Sequence, residues 1–158
     1  MTNSKHTEGR SIFGRTLLAA KNLKKGELVV RDTGPVTSIQ TVYSYQVGWN
    51  KHFEPLGPSK IINHSCEPNL GISVKSGGKP KFYALRDIKR GEELCVNYET
   101  FDYETAYLFK KKCRCGAKNC KKRIRGFKTS SKSILRKYAP YVAEYLLDGR
   151  KPGLKSHS

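Results

Sequence analysis

Acidic side chains are scarce in this 158-residue chain and are missing from one long segment. Thirteen Asp and Glu stand against thirty-one Lys and Arg, which gives a formal net charge of +18. Between Thr105 and Ala143 there is no acidic residue, whereas thirteen basic residues lie there. Such a segment repels basic partners and favours a polyanion, for which nucleic acid is the obvious candidate. The alternative is a solvated lysine-rich face, because no base-stacking pattern or groove-reading helix is recognisable.

The sequence also lacks long apolar runs. No stretch approaches the roughly 18 apolar residues that a membrane helix requires, which argues against a bilayer span and against a membrane partner. Residues 1–9 are polar and contain no apolar stretch of the kind that secretory signals carry. We therefore expect an intracellular protein, cytoplasmic or nucleoid-associated, with the nucleus as a further location.

Cysteine is infrequent and odd in number. Three of the five cysteines form the segment Cys113-x-Cys115-x4-Cys120. An odd count inside the cell argues against a disulfide framework and favours a metal site. Three thiolates at this spacing can converge on Zn²⁺ at about 2.3 Å each, which leaves a tetrahedral site one ligand short. The candidates for the fourth ligand are Cys66, Cys95 and a histidine such as His64.

Short segments of alternating apolar and polar residues, separated by Gly and Pro, predict a mostly β domain. The candidate strands cover residues 16–20, 27–31, 42–49, 70–74 and 81–85. Gly77 and Gly78 predict a hairpin between the last two, since glycine adopts positive φ freely. Helical spacing is confined to the carboxyl terminus, where Pro140 suits a first turn and Gly149 a helix end. The apolar residues at that spacing are Tyr141, Val142, Tyr145 and Leu146.

Three ordered motifs carry the functional signal. They are the heptapeptide Asn63-His64-Ser65-Cys66-Glu67-Pro68-Asn69, the segment Gly91-Glu92-Glu93-Leu94 followed by Tyr98, and the cysteine segment that begins at Cys113. In this order and spacing they resemble the SET domain, the fold of protein-lysine methyltransferases that use S-adenosylmethionine, with a post-SET zinc segment. The resemblance implies a mostly β fold of several small sheets with a pseudoknot, plus a short C-terminal helix.

The resemblance also implies a division of the chain. An N-terminal segment covers residues 1–13, the SET domain 14–103, a post-SET zinc flap 104–128, and a basic C-terminal helix and tail 129–158. The pseudoknot would bring Asn63 and His64 beside Tyr98, although they are distant in sequence.

The resemblance assigns roles to the residues of the SET segment. Tyr98 matches the key catalytic tyrosine, and Asn63 and His64 match the pair that binds the cofactor at its adenine or ribose end. Gly14 and Arg15 match the first cofactor loop, which faces the cofactor's polar end, but Thr16 stands where the family's Gly-x-Gly motif has its second glycine. Lysine methylation requires an uncharged amine, because a free lysine with a pKa of about 10.4 is almost fully protonated at neutral pH.

Further roles follow from the same resemblance. Val96 matches the residue that limits the substrate channel, and its small side chain predicts room for more than one methyl group. Phe127 matches the flap aromatic that folds over the adenine or the channel, with ordinary packing as the alternative. Zinc would be structural, with Cys66 completing the site of Cys113, Cys115 and Cys120.

Three classes of function are compatible with these motifs. The favoured one is a methyltransferase that uses S-adenosylmethionine to modify a lysine-containing protein, such as a histone or a nucleoid-associated protein, with nucleic-acid contact through the basic C-terminal segment. The second is a zinc-stabilised nucleic-acid binder with residual SET features. The third is a regulator that binds the cofactor without turnover.

Overall fold

Three small sheets form the framework of the protein in the computed structural model, which describes residues 4–105 and 112–148. The strands are β1 (His6–Ser11), β2 (Gly14–Ala19), β3 (Leu28–Arg31), β4 (Val36–Thr37), β5 (Tyr45–Gly48), β6 (Lys51–Phe53), β7 (Asn63–His64), β8 (Leu70–Ser73), β9 (Lys81–Ala84) and β10 (Cys95–Val96). Two helices follow, α1 (Phe127–Tyr138) and α2 (Glu144–Leu147). Short 3-10 helices lie at Pro58–Ile61 and Tyr98–Thr100. The mostly β prediction is confirmed.

The sheets combine predicted and unpredicted strands: β2, β3, β5, β8 and β9 fall in the predicted segments, whereas β1, β4, β6, β7 and β10 do not. β1 and β2 form a hairpin, β4-β6-β5 form a three-stranded sheet, and the largest sheet has the order β3-β9-β8-β10-β7. The predicted hairpin between β8 and β9 is present, with Gly77 at a φ of 75° in its turn. The predicted strand over 42–49 is shorter, because Ser44 Oγ donates to the Thr41 carbonyl at 3.1 Å and turns the chain before Tyr45.

The placement of β10 determines where the site forms. β10 lies between β7 and β8 and runs parallel to both, with Cys95 opposite Asn63 and Val96 opposite His64 and Leu70. Asn69 fixes this insertion: its Oδ1 accepts the Cys95 N–H at 2.9 Å, and its Nδ2 donates to the Glu93 carbonyl at 2.8 Å. A late strand thus enters between two earlier ones, which is the crossing that the expected pseudoknot requires.

One apolar core joins the sheets to the carboxyl-terminal segment. Phe53, Phe82, Phe101 and Tyr145 are its largest fully buried side chains. The Tyr145 hydroxyl donates to the Phe101 carbonyl, which fastens α2 to the segment that follows Tyr98. Within the described ranges, neither helix has the length and apolar character needed to cross a membrane.

The predicted short C-terminal helix is present, but it begins later than Pro140. Pro140 lies between the two helices, after a cis Ala139-Pro140 bond, and α2 is a single turn that begins only at Glu144. The backbone N–H groups of Ala143 and Glu144 donate to the carbonyls of Thr100 and Val74. Residues 141–143 therefore pack along the core in a non-helical conformation. The longer helix, α1, precedes this segment, and the predicted end at Gly149 lies outside the described residues.

Candidate active site

Tyr98 sits at the start of the 3-10 helix that follows β10. Its backbone N–H donates to His64 Nδ1 at 3.0 Å, and its hydroxyl donates to the Ile62 carbonyl at 2.8 Å. Burial, reinforced by the nearby Asp102, raises the pKa of Tyr98 well above its ordinary value of 10. The phenol therefore stays neutral at any physiological pH and offers a hydroxyl at a fixed position.

His64 connects Tyr98 to the cysteines. Because Nδ1 accepts the Tyr98 N–H, the neutral ring carries its proton on Nε2, which lies 3.5 Å from Cys66 Sγ. Burial, with a further contribution from the Lys121 charge, lowers the pKa of His64 to about 4. The imidazole is thus a neutral, fixed group whose ring meets the Tyr98 ring edge-on, with centroids 5.3 Å apart.

Asn63 is held by two side chains from other segments. Its Nδ2 donates to Glu93 Oε1 at 3.0 Å and to Thr16 Oγ1 at 3.2 Å. Among the described residues its Oδ1 has no hydrogen-bond partner, so this oxygen is available to accept from a ligand. The Glu93 carboxylate and the Asn63 Oδ1 are hydrogen-bond acceptors, and a free Oδ1 suits a ligand group that carries donors, such as an ammonium.

The first loop contributes a different residue from those predicted. Gly14 lies in the β1–β2 turn at a φ of 99°, with open space around it, and Arg15 is exposed and pairs with Glu8 at 2.6 Å. Thr16, by contrast, is fully buried and contacts Asn63. The cofactor roles of Gly14 and Arg15 stay predictions, while the structure brings Thr16 into the site.

A small pocket opens beside Tyr98. Aromatic residues dominate its wall, and the Lys60 ammonium lies 4.9 Å from the centre of the Tyr43 ring. The lining residues are Val42, Tyr43, Ser44, Tyr45, Lys60, Ile62, Tyr98, Phe101 and Asp102. The pocket thus places aromatic rings and a lysine ammonium next to the fixed Tyr98 phenol.

Asp102 is the ionisable group of this cavity that the sequence analysis missed. Its side chain is 3% exposed, and one carboxyl oxygen accepts the Gln46 N–H at 3.2 Å. Burial raises the pKa of Asp102 to about 8, against the opposing effect of that hydrogen bond. No sequence motif singles out this residue. An Asp in a short polar segment after Tyr98 is ordinarily expected to be solvated. Its burial in the folded chain removes it from water.

Four cysteines converge beside the heptapeptide motif. The sulfur atoms of Cys66, Cys113, Cys115 and Cys120 all lie within 4.8 Å of one another. A tetrahedral zinc site with Zn–S distances of about 2.3 Å needs sulfurs roughly 3.8 Å apart, so this donor set fits Zn²⁺ after small adjustments. Of the candidates for the fourth ligand, the geometry brings Cys66 into the cluster, as the resemblance implied. The metal role of these residues stays a proposal.

Backbone groups prepare this cluster for a cation. Burial opposes ionisation of the Cys115 thiol, but hydrogen bonds from the backbone N–H groups of Cys66 and Ala117 and from neighbouring thiols outweigh it and lower its pKa. The Lys121 N–H lies 3.5 Å from Cys66 Sγ. Cys95 lies outside the cluster, and burial raises the pKa of its thiol to about 12. Burial raises the pKa of the Cys66 and Cys113 thiols, so these two would lose their protons as the metal binds. With all four thiols ionised, the cluster can hold Zn²⁺ and would fasten the cysteine segment to the residues that follow β7.

Two of the residues to which the resemblance assigned functional roles lie in the core. Phe127 begins α1, is 7% exposed, and donates its backbone N–H to the Asp102 carbonyl at 2.9 Å. Val96 is fully buried in β10. The roles assigned to these residues at the cofactor and in the substrate channel therefore stay predictions.

Comparison with known proteins identifies the family. The SET domain family matches residues 14–99, which is more than half of the chain, and the chain belongs to this family. It is 32% identical over 132 residues to the human protein Histone-lysine N-methyltransferase 2D, covering 70% of this chain and 2% of that protein. It is 43% identical over 68 residues to the Saccharomyces cerevisiae Histone-lysine N-methyltransferase, H3 lysine-4 specific, covering 41% of this chain and 6% of that protein.

Solved structures agree with this membership. A structure of KRYPTONITE in complex with mCHG DNA and SAH has a TM-score of 0.60 at 26% identity, covering 73% of this chain and 28% of that one. A humanized mutant of the Chaetomium thermophilum Polycomb Repressive Complex 2 has a TM-score of 0.52 at 26% identity, covering 61% of this chain and 15% of that one. The chain thus spans only a small part of these relatives.

Proposed function

We propose that this protein is a protein-lysine N-methyltransferase that uses S-adenosylmethionine, with a histone or a nucleoid-associated protein as substrate. The observation that carries the proposal is the insertion of β10, after which Tyr98 contacts His64, the neighbour of Asn63, through a hydrogen bond. Relatives named histone-lysine N-methyltransferases support the substrate class. They also support a location in the nucleus or on chromatin.

The residues of the cavity would prepare the substrate amine. Bound S-adenosylmethionine supplies an electrophilic methyl carbon and a positive charge, and methyl transfer then depends mainly on orientation. The aromatic wall removes the lysine side chain from water, which favours the uncharged amine that the reaction needs. The neutral Tyr98 hydroxyl, held near the Ile62 carbonyl, orients that amine by hydrogen bonding.

The central experiment compares methyl transfer by the wild-type protein with that by Tyr98→Phe. Labelled S-adenosylmethionine and mixed histones are the substrates, and incorporation into protein is measured. We expect Tyr98→Phe to lose at least about a hundredfold in rate, because the orienting hydroxyl is removed. Tyr83→Phe is the matched control, since Tyr83 lies in β9 and packs against Tyr141, outside the cavity lining. Equal rates for wild type and Tyr98→Phe would contradict the proposed role.

We also propose that nucleic acid binds along α1. Lys128, Lys132 and Arg136 recur at every fourth position of this helix, so they form one stripe with a spacing of about 6 Å. All three are exposed, while Phe127 and Ile134 are buried in the core. Lys128 has a weak contact with Glu104 at 4.0 Å, whereas Lys132 and Arg136 have no ion-pair partner among the described residues. The stripe is therefore available to phosphate groups.

Salt dependence of DNA binding tests this stripe. Replacing Lys128, Lys132 and Arg136 by Gln should reduce the slope of log affinity against log salt by about 3, because each phosphate contact releases about one counterion. The control replaces Lys79, Lys81 and Lys89, which are exposed elsewhere, by Gln and removes the same charge. Equal slopes for the two variants would show that only net charge matters. DNA binding without any methyl transfer would favour the nucleic-acid binder over the enzyme.

A further inference from the structure

Thr16 has a side chain at a position where the family motif predicts a glycine. In the family resemblance it replaces the second glycine of the first cofactor motif, where the backbone approaches the cofactor's polar end. Its side chain is nevertheless fully buried. The hydroxyl donates to Glu93 Oε1 at 2.7 Å and accepts from Asn63 Nδ2 at 3.2 Å. The Thr16 side chain thus links β2 to the two segments that carry Asn63 and Glu93.

The backbone around this contact is fixed from two sides. Leu18 forms a β-bridge with Glu93, and the Leu94 N–H donates to the Leu17 carbonyl at 2.8 Å. Asn69 Nδ2 donates to the Glu93 carbonyl at 2.8 Å. The backbone of Glu93 is therefore held in place, and this positions its carboxylate. Thr16 has a β-branched side chain with few allowed rotamers, so its hydroxyl has a fixed position against that carboxylate.

This network determines which way the Asn63 amide points. Nδ2 donates to two acceptors, Glu93 Oε1 and Thr16 Oγ1, so Oδ1 must face the opposite direction. With its donors engaged, Asn63 can only accept a hydrogen bond from a ligand. A group that carries donors alone, such as an ammonium, satisfies that requirement, whereas a purine edge presents an acceptor as well.

We propose that Thr16 is a positioning residue that, with Glu93, orients Asn63 to recognise the α-ammonium of the cofactor's amino-acid part. This inference rests on the proposed use of S-adenosylmethionine and deepens it, because it adds Thr16, a residue particular to this chain, to the groups that hold the Asn63 amide in place. The threonine thereby replaces the family's glycine without blocking the site, since its side chain packs behind Asn63.

The test compares two ligands that differ in the amino-acid part. S-adenosylhomocysteine carries the α-ammonium, and 5′-methylthioadenosine lacks the whole amino-acid part. Thr16→Val removes the hydroxyl at nearly constant volume, and Thr16→Ser keeps it. Dissociation constants for the zinc-loaded full chain are measured by NMR titration, which also quantifies weak binding.

We expect Thr16→Val to bind S-adenosylhomocysteine at least about tenfold more weakly, the loss that 1.4 kcal/mol represents. Its affinity for 5′-methylthioadenosine should stay within about twofold of wild type, and Thr16→Ser should restore most of the S-adenosylhomocysteine affinity. An unchanged affinity for S-adenosylhomocysteine, or an equal loss for both ligands, would overturn the inference. A wild-type protein that binds neither ligand would instead overturn the proposed cofactor, and the two failures are thus distinguishable.

Discussion

Asp102 shows how a single buried carboxyl couples the cavity to stability. The folded protein holds this group protonated to higher pH, because burial raises its pKa from the ordinary 3.8 to about 8. The unfolded chain ionises it near its ordinary value. Between these two values the folded state binds more protons than the unfolded state, so this group's contribution to stability falls as pH rises. The contribution is fully present below about pH 4 and is lost by about pH 8.

The Asp102→Asn variant tests this effect. Asparagine keeps an acceptor for the Gln46 N–H and cannot ionise. We expect the free energy of unfolding of the wild type, relative to Asp102→Asn, to fall by several kcal/mol between pH 4 and pH 8, at about 1.4 kcal/mol for each unit of pKa difference. Denaturant unfolding at a series of pH values measures the difference, and a difference independent of pH would show that Asp102 is solvated.

At the scale of elements, the segment that carries Cys113, Cys115 and Cys120 and the residues around β7 depend on each other. The Cys113 N–H donates to the Lys122 carbonyl at 2.7 Å, which closes the cysteine segment into a loop. That loop reaches the SET segment through Cys66, whose N–H lies 3.4 Å from Cys115 Sγ. Because His64 is two residues from Cys66 and bonds Tyr98, the cysteine cluster and the proposed catalytic tyrosine share one support. Loss of zinc should therefore loosen the cofactor pair as well as the flap.

Zinc content distinguishes the four clustered cysteines from the fifth. We expect one zinc per chain in the wild type and in Cys95→Ser, and less than about half of that in Cys66→Ser, because a three-thiolate site binds the metal more weakly. Elemental analysis of the purified proteins gives the stoichiometry, and thermal unfolding with and without a chelator gives the stability. Equal zinc in both variants would remove Cys66 from the site.

The elements also show what local pattern can predict. Alternation located the β2, β3, β8 and β9 segments, because a half-buried strand imposes that pattern on its own residues. It missed α1, in which Phe127 and Ile134 are the buried positions and most other residues are polar. That helix is stabilised by packing against the residues after Tyr98, and packing of this kind leaves little trace in a short sequence window.

At the scale of the whole molecule, the site is assembled from three distant segments. β2 supplies Thr16, the heptapeptide supplies Asn63, His64 and Cys66, and the segment 93–98 supplies Glu93 and Tyr98. The ordered motifs predicted the last two segments. They could not predict the contacts of Thr16 or the burial of Asp102, which depend on how remote parts of the chain pack together.

A crystal structure of the zinc-loaded protein with S-adenosylhomocysteine gives the sharpest test of the proposed site. We predict that the ligand's sulfur faces the Tyr98 hydroxyl and that its α-ammonium lies within hydrogen-bond distance of Asn63 Oδ1. A ligand bound elsewhere, or with its sulfur turned away from Tyr98 at saturating concentration, would contradict this arrangement.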